Sequence, residues 1–223
     1  MPSPSPASSV DTLYANWTGA SSPKGVRSLV QPSAGDYLYD LARRAGVQRT
    51  LEVGLAHGGS ALYLCQAVRE NGGHEHTAID PRQTDRYEGV GLANVEAAGY
   101  GDLFRCIEAP SYLALPQLLE AEGPGSYDLV FIDGNHVFDY VLVDFFYADL
   151  LVRPGGYVVF DDLWMRSVRR AVRFVLRNRD YALEPVSGRS LPIRERIGRA
   201  ARRLATRPRT LLTHPLNVGA LRK

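Results

Sequence analysis

Apolar and polar positions follow two different periods along most of the chain. Short apolar runs bounded by glycine, proline or an acid are typical of strands buried on both faces, whereas apolar residues that recur every three to four positions are typical of helices. The pattern predicts strands at 50–53, 76–80, 103–108, 127–133 and 157–160 and helices at 35–45, 60–68, 89–98, 112–120, 137–151 and 167–178. Repeated alternation of this kind predicts an α/β fold, with a doubly wound and mostly parallel sheet joined by right-handed crossovers.

Composition is that of a globular protein with one main domain. The 223 residues are 45% hydrophobic and 22% charged, which suffices for a substantial core. Residues 1–12 begin with a Pro/Ser-rich stretch and are predicted to be a disordered lead-in to a single domain over 13–223. No run approaches the roughly 20 apolar residues that span a bilayer, and Cys65 and Cys106 are predicted to be buried thiols. We therefore expect a cytoplasmic protein.

Charge is distributed unevenly. Residues 163–223 hold 16 of the 26 basic residues and only 3 of the 24 acids, so they carry +13 and residues 1–162 carry −11. Within the basic part, apolar residues at helical spacing among arginines predict a basic helical insertion at about 187–214. Such an insertion could close over a substrate, contact a dimer partner or attract an anionic molecule, and a solvated surface helix explains it equally.

A glycine-rich turn follows the first predicted strand. Residues 50–59 read Thr-Leu-Glu-Val-Gly-Leu-Ala-His-Gly-Gly and lead directly into an apolar helix. A turn of this kind lets backbone N–H groups approach a ligand closely. Asp80 closes the second strand 26 residues after Gly54, the spacing at which nucleotide-binding folds place a carboxylate on ribose hydroxyls. The turn and Asp80 together predict a ribose-containing ligand. The alternative is that the glycines only form a turn and that Asp80 only caps the next helix.

Acids also end two later strands. Asp133 ends the fourth predicted strand, and Asp161 with Asp162 ends the fifth. Ligands of doubly wound sheets bind at the carboxyl ends of the strands. These acids and the glycine turn are therefore predicted to lie at one edge of the sheet.

Four blocks of sequence together resemble class I S-adenosylmethionine-dependent methyltransferases, in particular catechol-type and sugar O-methyltransferases. The blocks are Glu-x-Gly-x-x-x-Gly at 52–58, the acid at 80, Tyr-Asp-Leu-Val-Phe-Ile-Asp at 127–133 and Arg-Pro-Gly-Gly at 153–156, within a match from about Gln31 to about Tyr181. The resemblance implies a Rossmann-like methyltransferase fold with seven strands, in which 181–185 and 217–221 form a last hairpin with one antiparallel strand. Ala56 departs from the family's usual middle glycine.

The resemblance also implies a site for S-adenosyl-L-methionine. Asp80 would accept hydrogen bonds from both ribose hydroxyls, and such charge-assisted bonds are stronger than neutral ones. Glu52 would interact with the ammonium end of the cofactor or with the turn itself, and Ser111 would lie by the adenine. The full set of implied cofactor-binding residues is Glu52, Gly54, Ala56, Gly58, Asp80, Ser111 and Asp133.

Three acids are candidate metal ligands under this resemblance. Asp133, Asp161 and Asp162 would converge at one rim, because the fourth and fifth strands are neighbours in the family. Carboxylate oxygens suit Mg²⁺, and also Mn²⁺ or Ca²⁺, better than zinc or copper. A divalent ion there would bind two adjacent substrate oxygens and lower the pKa of the hydroxyl being methylated. Alternatively, the acids surround solvent, or Asp162 caps the following helix.

His136 follows Asp133 by three residues and is the candidate general base, so these two are the candidate catalytic residues. A histidine that only hydrogen-bonds the loop is the alternative. His57 lies in the glycine turn and is predicted either to touch the ligand or to be an ordinary surface histidine. Trp164 and Met165 could line the acceptor pocket or simply pack between helix and sheet.

The resulting hypothesis is an S-adenosylmethionine-dependent methyltransferase, a metal-assisted O-methyltransferase of a small-molecule hydroxyl on a natural product, sugar or phenolic compound. The alternatives are a metal-independent methyltransferase of nucleic acid or another anionic acceptor, and a non-methylating enzyme or binding module on the same scaffold. Nucleic acid is not favoured, because the basic insertion at about 187–214 has no aromatic residues among its arginines. We expect no membrane span, and a homodimer through the N-terminal or basic C-terminal helices stays open.

Overall fold

The computed structural model of the chain describes residues 30–184 and 217–223. The predicted lead-in at 1–12 and the predicted basic insertion at 187–214 lie outside these residues. A homodimer through the N-terminal or basic C-terminal helices stays a prediction. Among the helices of the described ranges, none combines the length and the apolar character that crossing a bilayer requires.

Seven strands and six helices alternate in the part of the chain that the structure describes. They are α1 Pro32–Arg44, β1 Arg49–Val53, α2 Gly59–Glu70, β2 Glu75–Ile79, α3 Val90–Ala97, β3 Phe104–Ile107, α4 Ser111–Glu122, β4 Tyr127–Ile132, α5 Phe138–Leu151, β5 Val152–Phe160, α6 Arg166–Asn178, β6 Ala182–Leu183 and β7 Gly219–Arg222. The helices and strands predicted from the hydrophobic pattern are all present, with ends displaced by a few residues.

The strands form one sheet in the order β3-β2-β1-β4-β5-β7-β6. The first five strands pair in parallel, and β7 is antiparallel to both of its neighbours, β5 and β6. The predicted α/β class and the predicted final hairpin are therefore confirmed. Strand order reverses between β1 and β4, and a crevice forms at the carboxyl ends of strands at such a reversal.

Two apolar layers hold the helices to the sheet. On one face, Leu51 and Val53 of β1 pack in the layer beneath α4, α5 and α6. On the other face lie α1, α2 and α3, and all of α2 except its last turn is buried because α1 covers it. Gly35 permits this close packing, since a Cβ at that position would lie 2.1 Å from the ring of Tyr63. The layers fix the direction in which the loops leave β1 and β4.

The segment Arg-Pro-Gly-Gly at 153–156 does not end a structural element, contrary to the predicted turn before the fifth strand. Instead, β5 runs through it, and the pairing of β5 with β4 shifts register at this point. Gly155 supplies the left-handed conformation of the irregularity, with φ of +79°. The amide of Gly155 and the carbonyl of Gly156 bond Lys223 at 3.1 and 3.0 Å. The glycines thus bend the strand while the neighbouring β7 continues the pairing.

Candidate active site

A pocket of about 510 Å³ lies at the carboxyl ends of β1, β2 and β4, where strand order reverses. The loops after these strands and the start of α4 supply most of its wall. Five predicted cofactor-binding residues line it, namely Gly54, Ala56, Asp80, Ser111 and Asp133. Glu52 and Gly58 lie behind the turn and do not line it. The structure therefore brings most of the predicted cofactor set to one cavity.

The glycine turn is held on both sides by neighbouring strand ends. The amide of Gly54 donates a hydrogen bond to the carbonyl of Ile79 at 2.8 Å, and the amide of Asp133 donates to the carbonyl of Val53 at 2.9 Å. These bonds continue the parallel ladder beyond the last paired residues. The turn is consequently fixed between β2 and β4.

The Asp80 carboxylate is almost fully buried and faces the glycine turn. Its Oδ2 accepts hydrogen bonds from the amides of Leu55 at 3.1 Å and Ala56 at 2.7 Å, and its Oδ1 accepts one from the amide of Arg82 at 2.8 Å. An ionised carboxylate has about four acceptor positions. The three amides therefore occupy most of the capacity that two ribose hydroxyls would share, and Asp80 organises the turn as well as lining the pocket.

Ala56 has a left-handed backbone, with φ of +47°. This conformation costs a residue that carries a Cβ about 1–2 kcal/mol, and a glycine at the same position would avoid the cost. The short hydrogen bond from its amide to Asp80 holds the conformation. Gly58, which precedes α2, also has a positive φ, of +82°. Its role is to let the turn enter the helix.

Glu52 is completely buried on the face of the sheet that α1, α2 and α3 cover. The hydroxyl of Ser60 donates a hydrogen bond to its Oε2 at 2.7 Å, and its Oε1 lies 3.4 Å from Nε2 of His76. Thr50 holds the other ring nitrogen of His76 at 2.8 Å. Of the two expectations for Glu52, support of the turn therefore fits this position, since Ser60 belongs to the first turn of α2.

His136 lies between two acids beyond the end of β4. Its Nε2 is 3.3 Å from Oδ1 of Asp133 and 2.9 Å from Oδ2 of Asp162. These hydrogen bonds raise the pKa of His136 to about 10. Burial raises the pKa of Asp133 to about 6, against the opposing effect of His136. Donor atoms of all three residues lie within 4.8 Å of one another, so the predicted base and two of the predicted metal ligands form one cluster.

Asp161 lies beside this cluster without joining it. Its Oδ1 is buried and has no hydrogen-bond partner among the residues that the structure describes. Burial raises the pKa of Asp161 to about 7, and the nearby charge of Asp133 adds to the effect. The three predicted metal ligands therefore lie at one rim, but the donor atoms that converge are those of Asp133, His136 and Asp162.

Asp162 does not cap α6. Its carboxylate Oδ1 accepts hydrogen bonds from Nε1 of Trp164 and from Nδ2 of Asn217, each at 2.8 Å. The hydrogen bond from His136 to the other oxygen lowers the pKa of Asp162. Trp164 is itself 66% exposed, while Met165 packs against the apolar layer beneath α6.

Several residues near the pocket were not anticipated from sequence. The rings of Tyr112 and Tyr140 meet edge to face 6.0 Å apart, and both line the pocket. Tyr87 lines it as well and contacts His57 ring to ring at 5.0 Å. Asp144 is buried directly behind the wall. One signal for Asp144 is present in the sequence, because it lies at helical spacing among the apolar residues of α5.

The donor set fits a hard divalent cation. Two carboxylates and one imidazole present donor atoms close enough to share an ion, and the orphaned oxygen of Asp161 lies beside them. Carboxylate oxygens dominate sites for Mg²⁺ and Mn²⁺, and an imidazole nitrogen shifts preference towards transition metals.

Comparison with known proteins identifies the family. The family described as "Methyltransferase domain" matches residues 51–163, about half of the chain. The chain belongs to this methyltransferase family. The matched segment runs from β1 through the glycine turn and the acids to the residue after Asp162, so it contains both the pocket and the cluster.

Two curated relatives of this methyltransferase carry O-methyltransferase names. A catechol O-methyltransferase from Niastella koreensis is 30% identical over 135 residues, which cover 60% of this chain and 58% of the relative. Caffeoyl-CoA O-methyltransferase 3 from Nicotiana tabacum is 31% identical over 164 residues, covering 67% and 62%. The chain thus spans about three fifths of the length of the curated relatives it matches.

Solved structures share the fold of this methyltransferase. An O-methyltransferase from Bacillus cereus in complex with SAH is 19% identical, with a TM-score of 0.65 over 82% of this chain and 84% of that chain. The O-methyltransferase TomG from Streptomyces achromogenes, in complex with SAM, is 22% identical, with a TM-score of 0.64 over 79% and 81%. At these identities the likeness concerns the fold.

Proposed function

We propose that the protein is an S-adenosylmethionine-dependent O-methyltransferase that acts on a hydroxyl of a small molecule with the help of a divalent cation. The observation that carries the proposal is the adjacency of two features at one sheet edge. Asp133 both lines the pocket and belongs to the cluster with His136 and Asp162. A methyl donor in the pocket and an acceptor at the cluster would therefore meet beside Asp133.

The pocket suits an adenosyl ligand in its size and its polar groups. A volume of about 510 Å³ lies within the usual range for small-molecule sites. S-adenosylmethionine, when bound, supplies a methyl group activated by its sulfonium. Gly54 and Ala56 would lie against the ligand with backbone only, Asp80 would offer its remaining acceptor position to the ribose, and Ser111 would lie near the base.

The cluster suits deprotonation of an acceptor hydroxyl. With Asp133 and Asp162 as its partners, His136 has a pKa of about 10 and is protonated at neutral pH, so it cannot accept a proton. A cation held by the two carboxylates would compete for their charge and lower the pKa of the imidazole. In that arrangement His136 acts as the base and is not itself a ligand of the ion. Such an ion would also lower the pKa of a bound hydroxyl. The chain's own contribution is to hold oxygen and methyl group in line.

Catechols and caffeoyl thioesters are the first acceptors to examine, because the curated relatives carry these names. Adjacent oxygens of a catechol could both reach one cation at the cluster. The exposed rings of Tyr112 and Tyr140 would offer aromatic contact to a planar acceptor or to the base of the cofactor.

Cofactor binding is tested by calorimetry with S-adenosylhomocysteine. We expect micromolar binding to the unaltered protein and at least tenfold weaker binding to Asp80→Asn. The matched control is Asp40→Asn on α1, where the acid is exposed, and its affinity should be unchanged. No heat of binding in the unaltered protein would remove the proposed function.

Methyl transfer is tested by mass spectrometry of acceptors for a gain of one methyl group. Catechol, caffeoyl thioesters, sugars and a short RNA are incubated with S-adenosylmethionine in Mg²⁺ or in chelator. Asp133→Ala should abolish turnover while S-adenosylhomocysteine affinity stays within a few-fold. Full activity in chelator would remove the cation from the proposal, and methylated RNA alone would favour the anionic-acceptor alternative.

A further inference from the structure

The outer face of α4, α5 and α6 carries most of the exposed apolar side chains. In the part of the chain that the structure describes, eleven large apolar residues are exposed, and nine of them belong to α4, to residues 137–150 or to α6. The helices on the opposite face of the sheet contribute only Leu92. Since a large apolar side chain has about 150–250 Å² of surface, exposed fractions of 37–55% leave roughly 600–900 Å² open. The largest apolar patch on a monomer is typically about 300–600 Å², so this face is a candidate binding surface.

Next to this apolar surface, α6 carries a line of arginines on its outer side. Arg166, Arg170, Arg173 and Arg177, which we call the arginine stripe, follow one another at intervals of four, three and four residues. Side chains at these intervals lie on one face of a helix, and the buried residues of α6 lie on the opposite side. The helix contains no acid, and like charges four positions apart destabilise a helix. The arginine stripe therefore needs negative charge from outside α6.

Acids of the described ranges do not neutralise the arginine stripe. Where an arginine forms an ion pair with an acid of these ranges, it is one of seven others, namely Arg43, Arg44, Arg49, Arg69, Arg82, Arg105 and Arg153. The Nε of Arg173 is buried and has no hydrogen-bond partner among the residues described. The neighbouring helices α4 and α5 expose only two acids, Glu120 and Asp139. A second copy of this face would therefore offer too little negative charge to match four arginines.

Apolar side chains lie beside the arginine stripe on both helices. Val143, Phe146 and Leu150 form the outer line of α5, and α5 packs alongside α6. Phe174 is exposed on α6 itself, next to Arg173. The face thus combines apolar groups that gain free energy by leaving water with cations that lack an anion. Nucleic acid would supply the anions, but its phosphate backbone would not bury the apolar groups.

We propose that the outer face of α5 and α6 is a docking surface for a membrane that carries anionic lipids. Such a membrane presents negative headgroups above an apolar interior, so it satisfies both parts of the face. The arginine stripe would reach the headgroups along its apolar stems, while Phe146 and Phe174 would enter the boundary below them. Tyr112 and Tyr140 are exposed and line the pocket as well, so a docked membrane would border the pocket. The proposal goes beyond methyl transfer and does not depend on it.

Vesicle sedimentation with the full chain tests the role of charge. We expect vesicles of phosphatidylcholine with about 30% phosphatidylserine to bind at least tenfold more tightly than pure phosphatidylcholine, and about 0.5 M salt to remove the difference. Arg170→Gln should weaken binding to the anionic vesicles about fivefold, and Arg170→Gln with Arg177→Gln about 25-fold. The matched control is Arg199→Gln with Arg202→Gln, which removes two arginines from the basic segment at 187–214. Its binding should stay within about twofold of the unaltered protein.

Fluorescence quenching by brominated lipids tests the insertion of the apolar part. Phe146→Trp is introduced into a chain in which Trp17 and Trp164, the two native tryptophans, are replaced by phenylalanine. We expect brominated anionic vesicles to quench this tryptophan. Leu92→Trp in the same background is the control, because Leu92 is exposed on the opposite face of the sheet, and it should not be quenched. Both substitutions exchange one exposed apolar side chain for another, so both chains should fold.

Three results would overturn the membrane proposal. The first is equal binding to neutral and anionic vesicles, or no binding to either. The second is a loss of binding in the Arg199 and Arg202 control as large as that in the Arg170 and Arg177 variant. The third is a dimer in analytical ultracentrifugation that Phe146→Ser dissociates, because a second copy would then cover the face. None of these results bears on the proposed methyl transfer.

Discussion

Gly54 and Asp133 approach so closely that a Cβ on Gly54 would lie 2.3 Å from the carbonyl oxygen of Asp133. No side chain fits between the turn after β1 and the end of β4. The backbone of Gly54 also has φ of +97°, a conformation that L residues rarely adopt. The glycine therefore sets the distance between the pocket and the acid cluster.

Gly54→Ala is expected to destabilise the protein by about 3 kcal/mol or more, because backbone strain and steric overlap add. Gly46→Ala is the matched control, since φ there is +63° but nothing lies within 4 Å of the added Cβ. Gly46→Ala should lower the free energy of unfolding only by the cost of the left-handed conformation, about 1–2 kcal/mol. Urea unfolding of both variants measures the difference, and equal losses would show that the close approach is relaxed in solution.

Ala56→Gly is expected to be neutral or to stabilise the protein by up to about 1 kcal/mol. Relief of the left-handed strain is worth about 1–2 kcal/mol, and the greater entropy of glycine in the unfolded chain offsets roughly half of it. Ala93→Gly, at an exposed position of α3, should instead cost about 1 kcal/mol. A similar loss in both variants would contradict the strain at Ala56.

His136 is expected to titrate well above an ordinary histidine, with a pKa of about 10. Its folded pKa is raised above the unfolded value, so its stabilising contribution is full below about pH 6.5 and is lost as pH rises towards 10. NMR titration of the imidazole in the protein and in Asp162→Asn checks this. The variant should titrate at a lower pH, and addition of Mg²⁺ to the unaltered protein should lower the pKa as well.

Asp144 is expected to make the free energy of unfolding depend on pH in the acidic range, below the range in which His136 titrates. Its pKa is raised from 3.8 to about 6, so the folded state binds the proton more tightly and stability falls as pH rises from about 4 to 6. Relative to the unaltered protein, Asp144→Asn should therefore gain up to about 3 kcal/mol between these pH values. Denaturant unfolding across the range measures the gain, and a pH-independent difference would show that Asp144 is not desolvated.

Trp164 should report cation binding without any turnover. Its indole donates a hydrogen bond to Asp162, so a paramagnetic Mn²⁺ ion at the cluster would lie close enough to quench its fluorescence. The chain has one other tryptophan, Trp17, and Trp164→Phe therefore defines the background. We expect saturable quenching that Asp133→Ala abolishes; quenching that persists in this variant would place the ion elsewhere.

Much of the fold could be predicted from the hydrophobic pattern because each buried parallel strand is a short apolar run with a glycine or acid at its end. The antiparallel β7 was also anticipated. The segment at 153–156 was not, since proline and glycines are typical of a turn. The strand continues through the left-handed Gly155 because residues before and after the segment pair with β4, and because Gly155 and Gly156 hydrogen-bond Lys223. Local sequence cannot report that pairing.

The sequence predicted that the candidate site residues lie close together, but it did not predict their hydrogen-bond partners. Sequence places Asp133 and Asp162 at neighbouring strand ends, yet the rotamer that brings His136 between them depends on the loop after β4. Likewise, Asp80 was expected to face a ligand, and its three amide partners follow from the curvature of the turn. The cofactor and cation assignments of these residues stay predictions.

Thr50, His76, Glu52 and Ser60 form a buried polar row that runs from the interior of the sheet to the first turn of α2. Laboratory evolution towards a different methyl donor should therefore select substitutions at positions that no ligand in the pocket would contact. Mutant libraries restricted to the pocket-lining residues would miss these positions. Error-prone mutagenesis of the whole chain should instead return substitutions at Thr50 and His76.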